Sequence, residues 1–222
     1  MGACARMSRT RGATVVLAAG DFPRRGGAAW RLLAGARRVV ACDSAAAAYR
    51  RRFRRWPDVI VGDFDSLRSR APGAGRRTSA DAGRAPDLVH FTDQETNDLE
   101  KALVCCAMRG WKHPVVVGAT GRREDHTLGN VFRALDYGVE TMTDYGRFVP
   151  VCGRAVLAVA KGAPVSVFAT DPRTRMTSRG LEWPLDGVRF RNLYGATLNR
   201  ATATRLVLTA TRPVYVYLAE RN

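Results

Sequence analysis

The sequence predicts two architectures in series: an α/β domain with a doubly wound, mostly parallel sheet over residues 1–138, then an all-β sandwich over 139–222. Three observations predict this. Apolar runs of strand length alternate with helical stretches as far as Gly138. Except for the run at 88–91, each of these runs ends at a Gly or an Asp, as strands do where they leave a sheet. After Val139 the runs continue, but no stretch keeps helical spacing.

Thr14-Val15-Val16-Leu17-Ala18-Ala19 is a continuous apolar run ending at Gly20, the pattern of a strand buried on both faces. Arg38-Val39-Val40-Ala41-Cys42 is the next strand and ends at Asp43. An alanine-rich helix follows through Tyr49 and Phe53. A strand from Asp58 to Val61 leads into VGDFDSL. Residues 68–86 are rich in Pro, Gly, Ser and Arg and read as a long loop. Leu88-Val89-His90-Phe91 is a strand. In TDQETNDLEKALVCCAMRG, Leu99, Ala102, Leu103 and Cys106 keep helical spacing, Asn97 with Glu100 makes a capping box, and Gly110 is the stop. Pro114 to Val117 is a strand ending in GATG, and Leu128, Val131, Phe132 and Leu135 mark the helix that Gly138 closes. Beyond it, 155–159, 164–168, 205–208 and 214–218 read as strands of the sandwich. The chain shows no internal repeat.

Composition narrows the classes. No apolar run approaches the ~20 residues that cross a bilayer. The amino-terminal residues carry charge without an apolar core, and Arg6 breaks the myristoylation pattern, so a cytoplasmic protein is expected. Five cysteines without a C-x-x-C pair argue against a disulfide framework or a zinc site. The formal net charge of +16 implies anionic partners. Its source is arginine, since Lys101, Lys112 and Lys161 are the only lysines. The densest run, Arg50 to Trp56, reads as a solvated helix face.

The chemistry lies in the acids. Asp63 and Asp65 of VGDFDSL point to one side of an extended chain, where two carboxylates repel each other unless a cation joins them. Asp43, the stretch Asp93 to Asp98 and Asp125 also fall at strand ends or helix starts. In a parallel sheet those points share one rim, outside the carboxyl ends of the strands. Carboxylates gathered there fit Mg²⁺, which takes hard oxygen ligands and completes its shell with phosphates. GATGRREDHTLGN adds a glycine turn before a helix, where backbone N–H groups bind phosphate, and Arg122 and Arg123 can grip phosphate oxygens. Thr127 stands in the first turn of that helix, and Lys101 shares a helix face with Asp98. Neither a Walker A loop nor a Rossmann fingerprint is present. His126 is a second-rank candidate without a triad around it.

VGDFDSL, DQETNDLEKAL, GATGRREDHTLGN and GLEWPLDG, in this order, resemble the motif series of the thiamine pyrophosphokinases, from about Leu17 to the carboxyl terminus. The resemblance implies an α/β domain with a β-sandwich, a homodimer with its active sites at the subunit interface, and transfer of the pyrophosphoryl group of ATP to thiamine. It implies that Asp43, Asp63, Asp65 and Asp98 hold Mg²⁺ and orient the ATP phosphates, with Asp98 or Asp65 as proton acceptor. It places Arg123, Asp125, Lys101 and Thr127 on the nucleotide side, and Gln94, Trp183 and Asn199 on the thiamine side. The chain departs from the family pattern at Ser44 to Ala47, at Asn97, at Arg122 and at Leu198. Two other readings stay open. One is a diphosphokinase for another hydroxylated heterocycle, such as a hydroxymethyl-pterin. The other is a basic nucleic-acid-binding protein on an inactive scaffold.

Overall fold

The computed structural model describes residues 12–64, 85–91, 93 and 95–220. The expected loop 68–86 therefore falls outside the described residues except at 85 and 86. None of the described helices is long and apolar enough to cross a membrane. Cys42, Cys105, Cys106 and Cys152 are free thiols. The described residues fall into two compact units that divide between Ala134 and Leu135.

The first unit contains β1 (Thr14–Leu17), α1 (Ala28–Ala34), β2 (Arg38–Cys42), α2 (Asp43–Phe53), β3 (Val59–Gly62), β4 (Asp87–His90), α3 (Asp98–Met108), β5 (Val115–Val117) and α4 (Glu124–Asp136). Its strands run in the order β5-β1-β2-β3-β4, and every pairing among them is parallel. The central strands are β-branched and closed to water: Val15, Val16, Val40, Ile60, Val61 and Val116 are all 0% exposed. Such runs favour the extended chain and bury apolar surface on both faces of a sheet, which is what a parallel arrangement demands.

Helix α1 was not expected. It spans only seven residues, too few to show a helical period, yet Ala29, Leu32 and Leu33 form one buried face. Its Trp30 ring packs 4.7 Å from Phe53 and 5.9 Å from Phe22. The arginines that end α2 do not simply face water. Arg52 lies 4.3 Å over Phe22, Arg50 4.5 Å over Trp56 and Arg55 5.9 Å over Tyr49. All five arginines of the densest basic run are exposed, as a solvated face requires, and Arg50, Arg52 and Arg55 also rest on neighbouring rings.

β1 carries β2 on one side and β5 on the other, so the strand order reverses at the carboxyl ends of β1 and β5, the usual place for a ligand crevice. There the two chains leave the sheet backbone to backbone. The Ala18 N–H donates to Val117 O (2.9 Å), Gly20 N–H to Gly118 O (2.7 Å) and Asp21 N–H to Thr120 O (2.7 Å). A Cβ on residue 20 would stand 2.3 Å from Thr120 O and 2.6 Å from Gly118 O, so only glycine fits.

The second unit is built of β6 (Glu140–Met142), β7 (Gly146–Ala158), β8 (Pro164–Ala169), β9 (Met176–Arg179), β10 (Ala196–Arg200) and β11 (Arg205–Ala219). β7 and β11 form its long antiparallel spine. Each had read as shorter: Pro150 and Gly153 in β7, and Pro213 in β11, look like breakers in a sequence. The register shifts between Ala210 and Val214, and this bulge absorbs Pro213. It divides β11 into a half paired with β9 and a half paired with β8. Leu206, Leu208, Val165, Val167, Val214 and Val216 join one apolar core drawn from both halves, as two packed layers require.

Replacing Gly20 by Ala forces a methyl group onto two carbonyl oxygens that cannot yield without parting β1 from β5. The expected loss of stability is about 2 kcal/mol or more, read as a lower urea midpoint, whereas Gly129→Ala, in a place open around its Cα, leaves the midpoint unchanged or raises it.

Candidate functional site

The acids at the carboxyl end of the sheet are placed by close packing. Asp43 opens α2 directly after β2, 2% exposed, with both carboxylate oxygens shielded from water. Its position at a helix amino terminus favours the negative charge. β3 passes against it at Gly62, where a Cβ would stand 2.6 Å from the Cβ of Asp43. Glycine at 62 therefore brings Asp63, the next residue, beside Asp43. The chain then turns through Phe64 with φ of 60°, a left-handed conformation costly for a bulky side chain. Its ring stacks on His90 at the end of β4, with centroids 5.8 Å apart. Asp65 and Gln94 lie outside the described residues.

Asp98 begins α3. Partial burial pushes its carboxyl above the ordinary range, and Asp63 pushes it further, while Lys101 one turn on pulls it back. Lys101 is itself only 4% exposed. Cys42, between β2 and Asp43, is buried, and its thiol is pushed up by that burial and by Asp98 and Asp43, so it stays neutral. Asp43, Asp63, Asp98 and Lys101 thus share one electrostatic neighbourhood. Among the described residues, no group of three or more His, Cys, Asp or Glu could by itself enclose a metal ion. Mg²⁺ does not need such a cage, because one or two carboxylates with phosphate and water complete its shell. Repelling, oxygen-only donors at a strand-end rim suit that ion.

The glycine turn after β5 faces the exit of β1. Gly118 and Gly121 take φ of 68° and 85°, and Arg122 follows at 64°. The Gly121 N–H donates to Thr127 Oγ1 (3.0 Å), and that hydroxyl donates to Arg123 O (3.0 Å). Thr127 is therefore a clasp of the turn. Arg123 and Asp125 pair on the surface through two contacts of 3.1 and 2.6 Å, which hold the Asp125 carboxyl down to about 2. His126 is exposed, and its backbone N–H donates to Asp125 Oδ1 at 2.9 Å. One acid escaped the sequence reading. Asp21, just beyond β1, lies against Gly121 so closely that a Cβ there would meet Asp21 Oδ2 at 2.1 Å. The strand-end rule that selected Asp43 and Asp63 would have found it.

The second unit holds a groove of about 370 Å³ lined by Trp183, Pro184, Leu185, Val188, Leu198 and Asn199, among others. The structure brings the two predicted acceptor-side residues of this unit together here. Trp183 is 55% exposed and offers its ring. Asn199 is 6% exposed and spends its amide on the wall. Its Oδ1 accepts from Trp183 N–H (3.2 Å) and Arg200 N–H (2.8 Å), and its Nδ2 donates to Trp183 O (2.7 Å). A register shift between Ala196 and Asn199 turns Asn199 inward and Leu198 outward. Leu198 sits at φ of 64° and 87% exposed on the lip. Asp186 Oδ2 accepts from Ser178 N–H (3.2 Å) and Ser178 Oγ accepts from Leu185 N–H (2.8 Å), which fasten the GLEWPLDG segment to β9.

Comparison with known proteins follows this division. A model described as thiamin pyrophosphokinase, catalytic domain, matches residues 29–143, and one described as thiamin pyrophosphokinase, substrate-binding domain, matches residues 146–217. Thiamin pyrophosphokinase 1 of Caenorhabditis elegans is 30% identical over 88 residues, which is 37% of this chain and 32% of that protein. The match thus spans about a third of that relative's length. Among solved structures, thiamin pyrophosphokinase from Geobacillus thermodenitrificans superposes with a TM-score of 0.69 at 19% identity, over 94% of this chain and 97% of that one. The enzyme from Candida albicans gives 0.70 at 13% identity, over 95% and 90%. Yeast thiamin pyrophosphokinase gives 0.70 at 11% identity, over 94% and 86%. At these identities the likeness is one of fold.

Two outcomes are expected. For Asp98 the raised folded-state value means that ionisation costs stability once pH rises above the ordinary carboxylate range and through that value. Asp98→Asn therefore raises the melting temperature of the ligand-free protein at pH 7, and the gain vanishes near pH 3, where the aspartate is itself neutral. Thermal melts across pH check this. Asn199→Ala strands three backbone groups of Trp183 and Arg200 and costs about 1–3 kcal/mol, and Asn199→Asp, which sets a buried carboxylate oxygen against the Trp183 carbonyl, loses at least as much in urea denaturation at pH 7.

Proposed function

Because the chain belongs to the thiamin pyrophosphokinase family, we propose that it transfers the pyrophosphoryl group of ATP to the hydroxyl of thiamine, giving thiamine diphosphate and AMP. One observation carries the reading: the acids at the carboxyl ends of β2 and β3 and the start of α3 share a rim with a glycine turn of phosphate-binding form, in a chain matched by both family models.

The roles follow from the chemistry of the residues. Asp43, Asp63, Asp65 and Asp98 would hold Mg²⁺, which when bound would offset the charge developing on the phosphate oxygens. Asp98 or Asp65 accepts the proton of the attacking hydroxyl. Backbone N–H groups of the 118–121 turn, Arg123 and the buried Lys101 ammonium steady the phosphates, with Thr127 keeping the turn in shape and Asp125 orienting the Arg123 fork. In the second unit the exposed face of Trp183 receives the thiamine cation, Asn199 holds that tryptophan in place, and Gln94 contributes an amide to the acceptor. In-line attack on the β-phosphorus then needs little beyond positioning and charge.

The proposal includes a homodimer with its active sites at the subunit interface. The exposed side chains of Trp183, Tyr194 and Leu198 in the second unit support a partner surface there. It also includes a cytosolic setting, where free thiols, ATP and Mg²⁺ coexist.

Purified protein with ATP, Mg²⁺ and thiamine is expected to release AMP and thiamine diphosphate in equal amounts, and Asp63→Asn to lower that rate by ~100-fold or more. Chromatography of both products checks the reading. AMP release only with another hydroxylated heterocycle would keep the transfer and replace the acceptor. No turnover by folded protein with any acceptor would remove the enzymatic reading.

A further inference from the structure

α3 carries Asp98 at its first residue, and the 118–121 turn carries the backbone donors. Two asparagine side chains join these segments. The Glu100 N–H donates to Asn97 Oδ1 at 2.9 Å, capping α3. Asn97 Nδ2 donates to Asn130 Oδ1 at 3.2 Å, across 33 residues of sequence. Asn130 Nδ2 donates to Ala119 O at 3.3 Å, within the turn. The two ends of this chain fix its sense: the cap N–H can only donate and the Ala119 carbonyl can only accept, so both amides have one orientation that satisfies every contact. Ala119 is 2% exposed, and a buried carbonyl needs a partner. One helical turn along, Arg133 on α4 meets Glu100 on α3 at 3.2 Å, a second rung parallel to the first.

We propose that the Asn97–Asn130 bridge is a positioning device, which sets the spacing between the α3 end bearing Asp98 and the 118–121 turn. Neither asparagine touches the reacting atoms. They act through the cap on one side and the Ala119 carbonyl on the other. This rests on the proposed phosphoryl transfer, in which Asp98 and the turn must hold one substrate between them. A threonine or serine at 97 would cap α3 but has no second arm to reach residue 130. The cap and the bridge are therefore separable by substitution.

Asn97→Ser keeps the cap and removes the bridge, Asn130→Ala removes the bridge from the other side, and the double variant tests whether the two act as a unit. Amide hydrogen exchange of the 118–121 segment is read alongside AMP release. In Asn97→Ser we expect exchange at 118–121 to quicken several-fold, kcat to fall about tenfold, and KM for ATP and the melting temperature to change little. The double variant is expected to be no slower than Asn130→Ala alone. If Asn97→Ser folds poorly, Asn130→Ala read at residues 97–100 gives the same test from the other end. Unchanged exchange across the bridge, or losses that simply add in the double variant, would overturn the proposal. Wild-type protein that makes no AMP would count against the functional reading, while the exchange data would still decide the bridge.

Discussion

Repulsion among carboxylates at one end of a parallel sheet is the constraint around which the first unit is organised. Burial is the main force that raises the Asp98 carboxyl and keeps the Cys42 thiol neutral, and neighbouring carboxylates add to it: Asp63 at Asp98, and Asp98 and Asp43 at Cys42. Three features offset that cost without any ligand. Lys101 places a positive charge in the same neighbourhood while itself almost wholly buried. Asp43 and Asp98 both sit in the first turn of a helix, where backbone N–H groups favour an anion. Partial exposure leaves Asp63 and Asp98 some water.

The rim is held by backbone contacts rather than by flexible side chains. Gly20 and Gly62 each allow an approach that a single methyl group would block, one against the 118–121 turn and one against Asp43. Phe64, Arg122 and Leu198 hold left-handed conformations where glycine would be easier. Strain of this kind persists only where the surroundings fix it; these three flank the candidate sites, while Arg54 and His113 take the same conformation elsewhere. The same economy recurs in the second unit, where Asn199 fixes the Trp183 and Arg200 backbone while the Trp183 side chain stays exposed. Reactions that depend mainly on positioning gain from such rigidity.

Much of this was legible in the sequence. The valine-rich runs had to be buried strands, and acids after them had to reach one rim, because a parallel sheet ends all its strands on the same side. The α3 cap was readable for the same local reason: Asn97 and Glu100 are three residues apart. What could not be read was set by partners distant along the chain. α1 is too short for its period to show. β7 and β11 cross proline and glycine because each pairs with the other and shares the strain in a bulge. Asn199 could be read as a candidate groove residue, but nothing local says that it also holds the Trp183 backbone. The bridge from Asn97 to Asn130 joins helices that only the fold brings together. Asp21 has a local cue, since it follows Gly20 at the end of β1, but its closeness to Gly121 comes from the fold.

Whether a cation and a polyphosphate together complete the acidic rim is decided by the melting temperature of the protein with Mg²⁺ alone, with a non-hydrolysable ATP analogue alone, and with both. Binding to the folded state raises the melting temperature by mass action. The account predicts a small shift with either component and a shift of several degrees with both, lost in Asp63→Asn. A full shift from Mg²⁺ alone would mean a self-sufficient metal cage. No shift with both together would mean that the rim is not the nucleotide site, and the account would fail.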